Sequence, residues 1–260
     1  MRILLLNLGI GLIGGGKFVL DSLMVSSWCP IYKFWSAINI PSWYLGIYLF
    51  SLVMIKPILK GIRRIRDSMR MCLGIIMGLF FLQAILFALW RVCDNSINLI
   101  WFTYRFPLLR LLDFVIGCLC GAVYIKIKDK ISVKSWLVDI LQIILFIVVI
   151  IMCKSYKPFF PSDSFFQCWI RTTWFVIPNA LIIFLSCMKS SLINRILGNI
   201  IFVKLGSLVV FAFLVHHAVI DYCYIGINDP WMVMSISIEI SLLAAWIYSL
   251  GCKKLAERKG

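Results

Sequence analysis

Histidine and acid are what this sequence has least of. It holds two histidines and 11 Asp or Glu residues against 26 Lys or Arg, and only 14% of its positions are charged. A water-soluble domain carries roughly 25% charged residues, so this chain lacks the polar surface that water demands. Cysteine is plentiful, at ten residues, yet no CxxC pair and no Cys/His cluster of metal-ligand spacing occurs, so no metal site is expected. Long polar stretches are missing too, and with them any room for a soluble domain. Neither an internal repeat nor a low-complexity tract interrupts the chain, which reads as one domain over residues 1–260.

What remains is apolar. Hydrophobic residues make up 62% of the chain and the mean hydropathy is +0.99. Eight stretches approach the ~20 residues that cross ~30 Å of hydrocarbon. They run from Ile3 to Val25, Trp43 to Leu59, Met71 to Trp90, Leu108 to Ile127, Trp136 to Cys153, Thr173 to Met188, Ile200 to Ile220 and Trp231 to Cys252. None alternates with period two, so lipid leaves only helices, and the expected fold is an all-α, polytopic bundle of about eight transmembrane helices. Pro57 is expected to stop or kink the second. The first carries Gly14, Gly15 and Gly16 and places Lys17 one turn before Asp21. No small-x-small cleavage site follows it, so it reads as a span and not as a secretory signal.

The positive charge orients the bundle. Eighteen of the 26 Lys and Arg residues fall on the side of the N-terminus and eight on the other, which puts both termini in the cytoplasm. The chain is thus expected in the cell (plasma or inner) membrane with the lipid bilayer as its principal partner, and no basic patch outside short loops points to nucleic acid. Cys29, Cys93, Cys168 and Cys223 fall near the outer face; disulfide pairing and free thiols both remain open.

Chemistry must come from polar groups inside or at the ends of helices. Three constellations stand out. Arg105, Phe106 and Pro107 precede Arg110 and Asp113, which share a helix face and can pair, and Gly117 and Gly121 follow at the spacing of close helix packing. Leu205 and Gly206 precede Phe213, Leu214, Val215, His216 and His217, with Asp221 one turn beyond His217 and placed to orient it. Pro41, Ser42, Trp43, Tyr44 and Leu45 open the second helix, where aromatic residues equally suit an interfacial belt. Pro178 with Asn179 and Glu239 are further candidates, of the kind that marks transport paths.

In order and spacing, these three constellations resemble the membrane-embedded acyltransferase family 3. Leu205, Gly206, Phe213, Leu214, Val215 and His216 fall in the register of that family's Leu-Gly to His segment. Pro107, Arg110, Asp113, Phe114 and Gly117 are similar to its Pro, Arg, acidic, Phe, Gly string, with Asp where Glu is usual. Trp43, Leu45 and Pro57 are similar to its tryptophan-leucine helix ending in proline. The resemblance covers roughly residues 40–220. It departs at Val209 and Val210, where a Ser-Tyr pair is usual, and at Tyr48, where an acid often stands. It departs most at the front, where the family's arginine and catalytic histidine have no counterpart.

The resemblance implies an O-acyltransferase that moves an acyl group, often acetyl, from acyl-CoA (here acetyl-CoA) to a hydroxyl of a surface polysaccharide or lipid-linked sugar, with no tightly bound cofactor. It places His216, Arg105, Arg110 and Asp113 in the catalytic set and Trp43, His217 and Asp221 at the substrate. Because the family has about ten spans, it also implies that the first two helices are missing here, and the activity with them in question. A glycan flippase or polymerase, and a non-catalytic remnant, stay open as alternatives.

Overall fold

The computed structural model describes residues 15–16, 18–20, 22–30, 41–93, 101–130, 133–159, 173–188 and 191–257. Among them lie eight α-helices and no strand: α1 Ser42–Ile65, α2 Met69–Cys93, α3 Pro107–Ile127, α4 Ser135–Phe159, α5 Val176–Ser186, α6 Leu192–Leu197, α7 Ile200–Gly226 and α8 Pro230–Glu257. Six of the described helices, α1 to α4 with α7 and α8, are long and apolar enough to cross a membrane, as a multi-pass membrane protein requires. Most of the first expected span, and with it Lys17 and Asp21, lies outside the described residues, as do Cys168 and the side chain of Cys93. Cys29 and Cys223 are free thiols.

The helices begin where local chemistry satisfies their first N–H groups. Asn199 accepts from the Ile201 N–H at 3.0 Å to start α7, and Asp229 accepts from the Trp231 N–H at 2.9 Å to start α8. Proline supplies the first residue of both α3 and α8, where its missing N–H is no loss. Pro57, expected to stop or kink α1, does not stop it: the helix continues to Ile65.

The expected sixth span is shorter than its sequence promised. Helix α5 has 11 residues, about 16 Å of rise and roughly half the hydrocarbon core. It ends because its neighbour offers polar partners. From α4, Asp139 accepts from the N–H groups of Leu192 and Ile193 at 3.0 and 2.9 Å, and the fully buried Gln142 donates to Ser186 at 3.1 Å and to Asn194 at 2.9 Å. Ser191 caps α6 by accepting from the Asn194 N–H at 3.1 Å. The chain therefore breaks, turns and restarts as α6 around two α4 side chains.

Helices α1, α2 and α3 pack into one core, where Ile62, Cys72 and Leu119 are buried among Ile58, Leu79 and Val123. Tyr124 of α3 donates to the Cys187 carbonyl at 2.8 Å, and Lys126 donates to the carbonyl of Asp67. Ahead of α1, the chain turns at Met24, whose φ of 57° is left-handed. The Val25 N–H donates to the Leu20 carbonyl and the Leu23 N–H to the Val19 carbonyl, both at 2.9 Å, closing off the preceding helical residues. The Met24 carbonyl then rests against α1 at Gly46, where a β-carbon would lie 2.3 Å from that oxygen. At Gly117 and Gly121, expected to mark close helix packing, a β-carbon would meet nothing within 4 Å among the described residues.

Helices α7 and α8 form an antiparallel hairpin packed chiefly on itself. Its seam on α8 is Val233, Ser237, Ser241 and Ala245, all buried and each four residues apart. Small side chains at that spacing let two helices approach closely without a hydrophobic driving force.

Candidate functional site

Pro107 sets the first part of the site. The residue before a proline is pushed out of the helical region, and Phe106 accordingly stands extended at φ −67° and ψ 118°. Before it, Trp101–Arg105 form a single wide helical turn, closed by the Phe106 N–H donating to the Trp101 carbonyl at 3.0 Å. Such π-type turns recur at functional sites because they re-aim side chains. The Trp101 ring N–H anchors this turn to the Ser27 carbonyl at 2.9 Å. Arg105 is thereby carried over Trp43 at the start of α1, with its guanidinium carbon 5.8 Å from the indole centre. Tyr104 packs against the same indole at 4.8 Å.

One turn into α3, Arg110 and Asp113 make the ion pair their spacing predicts, at 2.7 Å, with their side chains 12% and 23% exposed. The second carboxylate oxygen accepts from the Gln83 amide of α2 at 2.7 Å, and Gln83 in turn accepts from the Thr173 hydroxyl at 2.8 Å. Gln83 and Thr173 are fully buried. Asp113 thus fixes Arg110 and is itself fixed, as a carboxylate in an apolar interior must be if it is to stay ionised. Sequence reading overlooked Gln83, although a lone amide within the 25 apolar-rich residues of α2 is a visible signal. It overlooked Gln142 in the same way.

On α7, the Nδ1 of His216 lies 2.5 Å from the Phe213 carbonyl. A carbonyl only accepts, so Nδ1 carries the hydrogen and Nε2 keeps the open lone pair of a general base. His217 places Nδ1 3.2 Å from Asp221, the partner expected from their spacing, with side chains 34% and 67% exposed. The polar contact of His216 stays within its own helix, whereas Arg110 and Asp113 are engaged with α2 and the Thr173 turn. Gly206 is open on its helix face.

Aromatic rings join the separate pieces. Trp43 meets Tyr44 at 6.0 Å, Tyr44 meets Phe213 at 5.4 Å, and Phe213 meets His216 at 5.2 Å. Arg105, Trp43, Tyr44, Phe213 and His216 therefore form a continuous path, drawn from all three constellations. Glu239 is exposed on α8, and Pro178 sits in the first turn of α5 and does not break a longer helix. Among the described residues, no group of three His, Cys, Asp or Glu side chains could hold a metal ion. Compared with protein-family models, with curated proteins and with solved structures, the chain gives no match.

Proposed function

We propose that this chain is an O-acyltransferase of the cell membrane, which moves an acyl group from acyl-CoA, acetyl-CoA first among them, to a hydroxyl of a surface polysaccharide or lipid-linked sugar. The observation that supports this reading is the path from Arg105 over Trp43 and Tyr44 to Phe213 and His216. It gathers the segments whose resemblance to acyltransferase family 3 is strongest.

In the reaction, Nε2 of His216 takes the proton of the acceptor hydroxyl, whose oxygen bonds to the thioester carbonyl carbon. The C–S bond then breaks, and the imidazolium returns the proton to the leaving thiolate. Arg105 supplies positive charge toward the oxyanion that develops between these steps. Arg110, held by Asp113, stands behind it as a second cation. Trp43 offers an aromatic face for the sugar ring, and His217 with Asp221 lies at the polar edge of the acceptor.

The test is acetylation of surface polysaccharide in cells making the intact chain or His216→Ala, with both proteins present at equal level in the membrane. Loss of acetyl groups in the variant is expected; equal acetylation would remove His216 from the catalytic set.

A further inference from the structure

Between α7 and α8 lies a cavity of about 400 Å³, walled by apolar side chains such as Val209, Ile220 and Val233 and reached by His216, Ser237 and Ser241. Its size lies within the ~300–1,000 Å³ of small-molecule sites. The two serines are each 3% exposed, and neither hydroxyl has a hydrogen-bond partner. Ser26 and Ser27, in the turn ahead of α1, are likewise buried without a partner, but other serines within α-helices bond their own backbone. Ser235 on the same helix donates to the Trp231 carbonyl at 3.0 Å, and Ser51 on α1 donates to the Ile47 carbonyl at 2.9 Å, the ordinary fate of a serine inside a helix. A buried hydroxyl without a partner carries a penalty unless a ligand supplies one.

The occupant is constrained by what the walls lack. Among the described residues no Lys or Arg lines the cavity, so a phosphate group would be unpaired. A sugar would bring more hydroxyls than two serines, one imidazole and the Tyr224 phenol can satisfy. A methylene chain ending in a carbonyl fits both parts: the walls desolvate the chain, and a carbonyl accepts from hydroxyls. We infer that the α7–α8 cavity holds the hydrocarbon chain of an ester- or thioester-linked acyl group, with its carbonyl at Ser237 and Ser241 beside His216. The inference rests on the acyl-transfer reading in that it names the acyl group, and it extends the donor beyond acetyl to longer chains.

The experiment uses the purified full chain in bilayer nanodiscs, without any sugar acceptor, so that binding is read apart from transfer. A diazirine-bearing acyl chain is offered as a CoA thioester, as a phosphatidylcholine ester and as a carbonyl-free alkane, and the photolabelled peptides are mapped. Saturable labelling of α7 and α8 by either carbonyl-bearing probe, weakened about threefold to tenfold in Ser237→Ala/Ser241→Ala and absent in Ala212→Trp, is expected. Labelling by the thioester alone identifies a soluble donor and by the lipid alone a membrane donor; both sustain the inference. Labelling spread evenly over lipid-facing helices, or an alkane that labels the cavity as well as the esters do, overturns it. Acetyl transfer that persists beside such a failure leaves the acyltransferase reading standing and removes only the longer chain.

Discussion

Arg105 and Trp43 meet face to charge, the guanidinium carbon 5.8 Å from the indole centre, although they belong to different constellations. An interaction of this kind contributes about 0.5–2 kcal/mol according to its desolvation, or about twofold to thirtyfold in a rate that depends on it. Trp43→Leu is expected to reduce acetyl transfer within that range, and Trp43→Phe to restore part of it, since phenylalanine keeps a weaker ring face. Identical rates for leucine and phenylalanine would show that Trp43 serves packing alone.

The Arg110–Asp113–Gln83 chain predicts an order of stability losses. Asp113→Ala leaves a buried guanidinium without its carboxylate and is expected to cost about 3–5 kcal/mol. Gln83→Leu leaves the ion pair intact, removes two hydrogen bonds, to Asp113 and from Thr173, and is expected to cost about 1–3 kcal/mol. Thermal unfolding of the purified chain in one detergent compares them; a Gln83→Leu loss as large as the Asp113→Ala loss would contradict the order.

The two histidines separate through Asp221. If His216 is the base, Asp221→Asn is expected to raise the KM for the acceptor and to leave kcat within about threefold, because the carboxylate holds His217 at the edge of the acceptor. Were His217 the base, loss of its orienting carboxylate would lower the rate by about a hundredfold or more. Initial rates of the two single variants, His216→Ala and Asp221→Asn, decide the matter.

Gly46 and Met24 form a close backbone contact that no larger residue admits. Gly46→Ala puts a β-carbon 2.3 Å from the Met24 carbonyl oxygen, so α1 or the turn must shift, at about 1–3 kcal/mol. Met24→Gly acts in the opposite direction. At φ 57° glycine relieves about 1 kcal/mol of left-handed strain and raises the unfolding temperature. A neutral Gly46→Ala would mean that the turn does not bear on α1.

The membrane helices were legible because lipid enforces a length, and six of the expected spans stand within a few residues of their sequence limits. Two features were not. The end of the sixth span at Ser186 depends on Asp139 and Gln142 of α4, side chains that reach it only in three dimensions, so nothing at the close of that apolar run announces it. Pro57 does not end α1, which runs on through Lys60, Arg63 and Arg64 to Ile65. At the site, the pairing of Arg110 with Asp113 and of His217 with Asp221 followed from helical spacing. Gln83, Ser237 and Ser241 were visible in the sequence but look ordinary there; burial is what gives an amide or a hydroxyl its meaning.

The hairpin of α7 and α8 bears on how the protein is made. Its helices leave the ribosome one after the other, joined by the three residues Ile227, Asn228 and Asp229. The row of Val233, Ser237, Ser241 and Ala245 faces α7 and not a distant helix, so the two polar hydroxyls are shielded from hydrocarbon by the segment synthesised just before them. The pair can enter the bilayer as a finished unit and then dock on the helices made before it. Its junction with the earlier helices includes the meeting of Phe213 and Tyr44, so the path of rings between Trp43 and His216 closes only when α7 has docked.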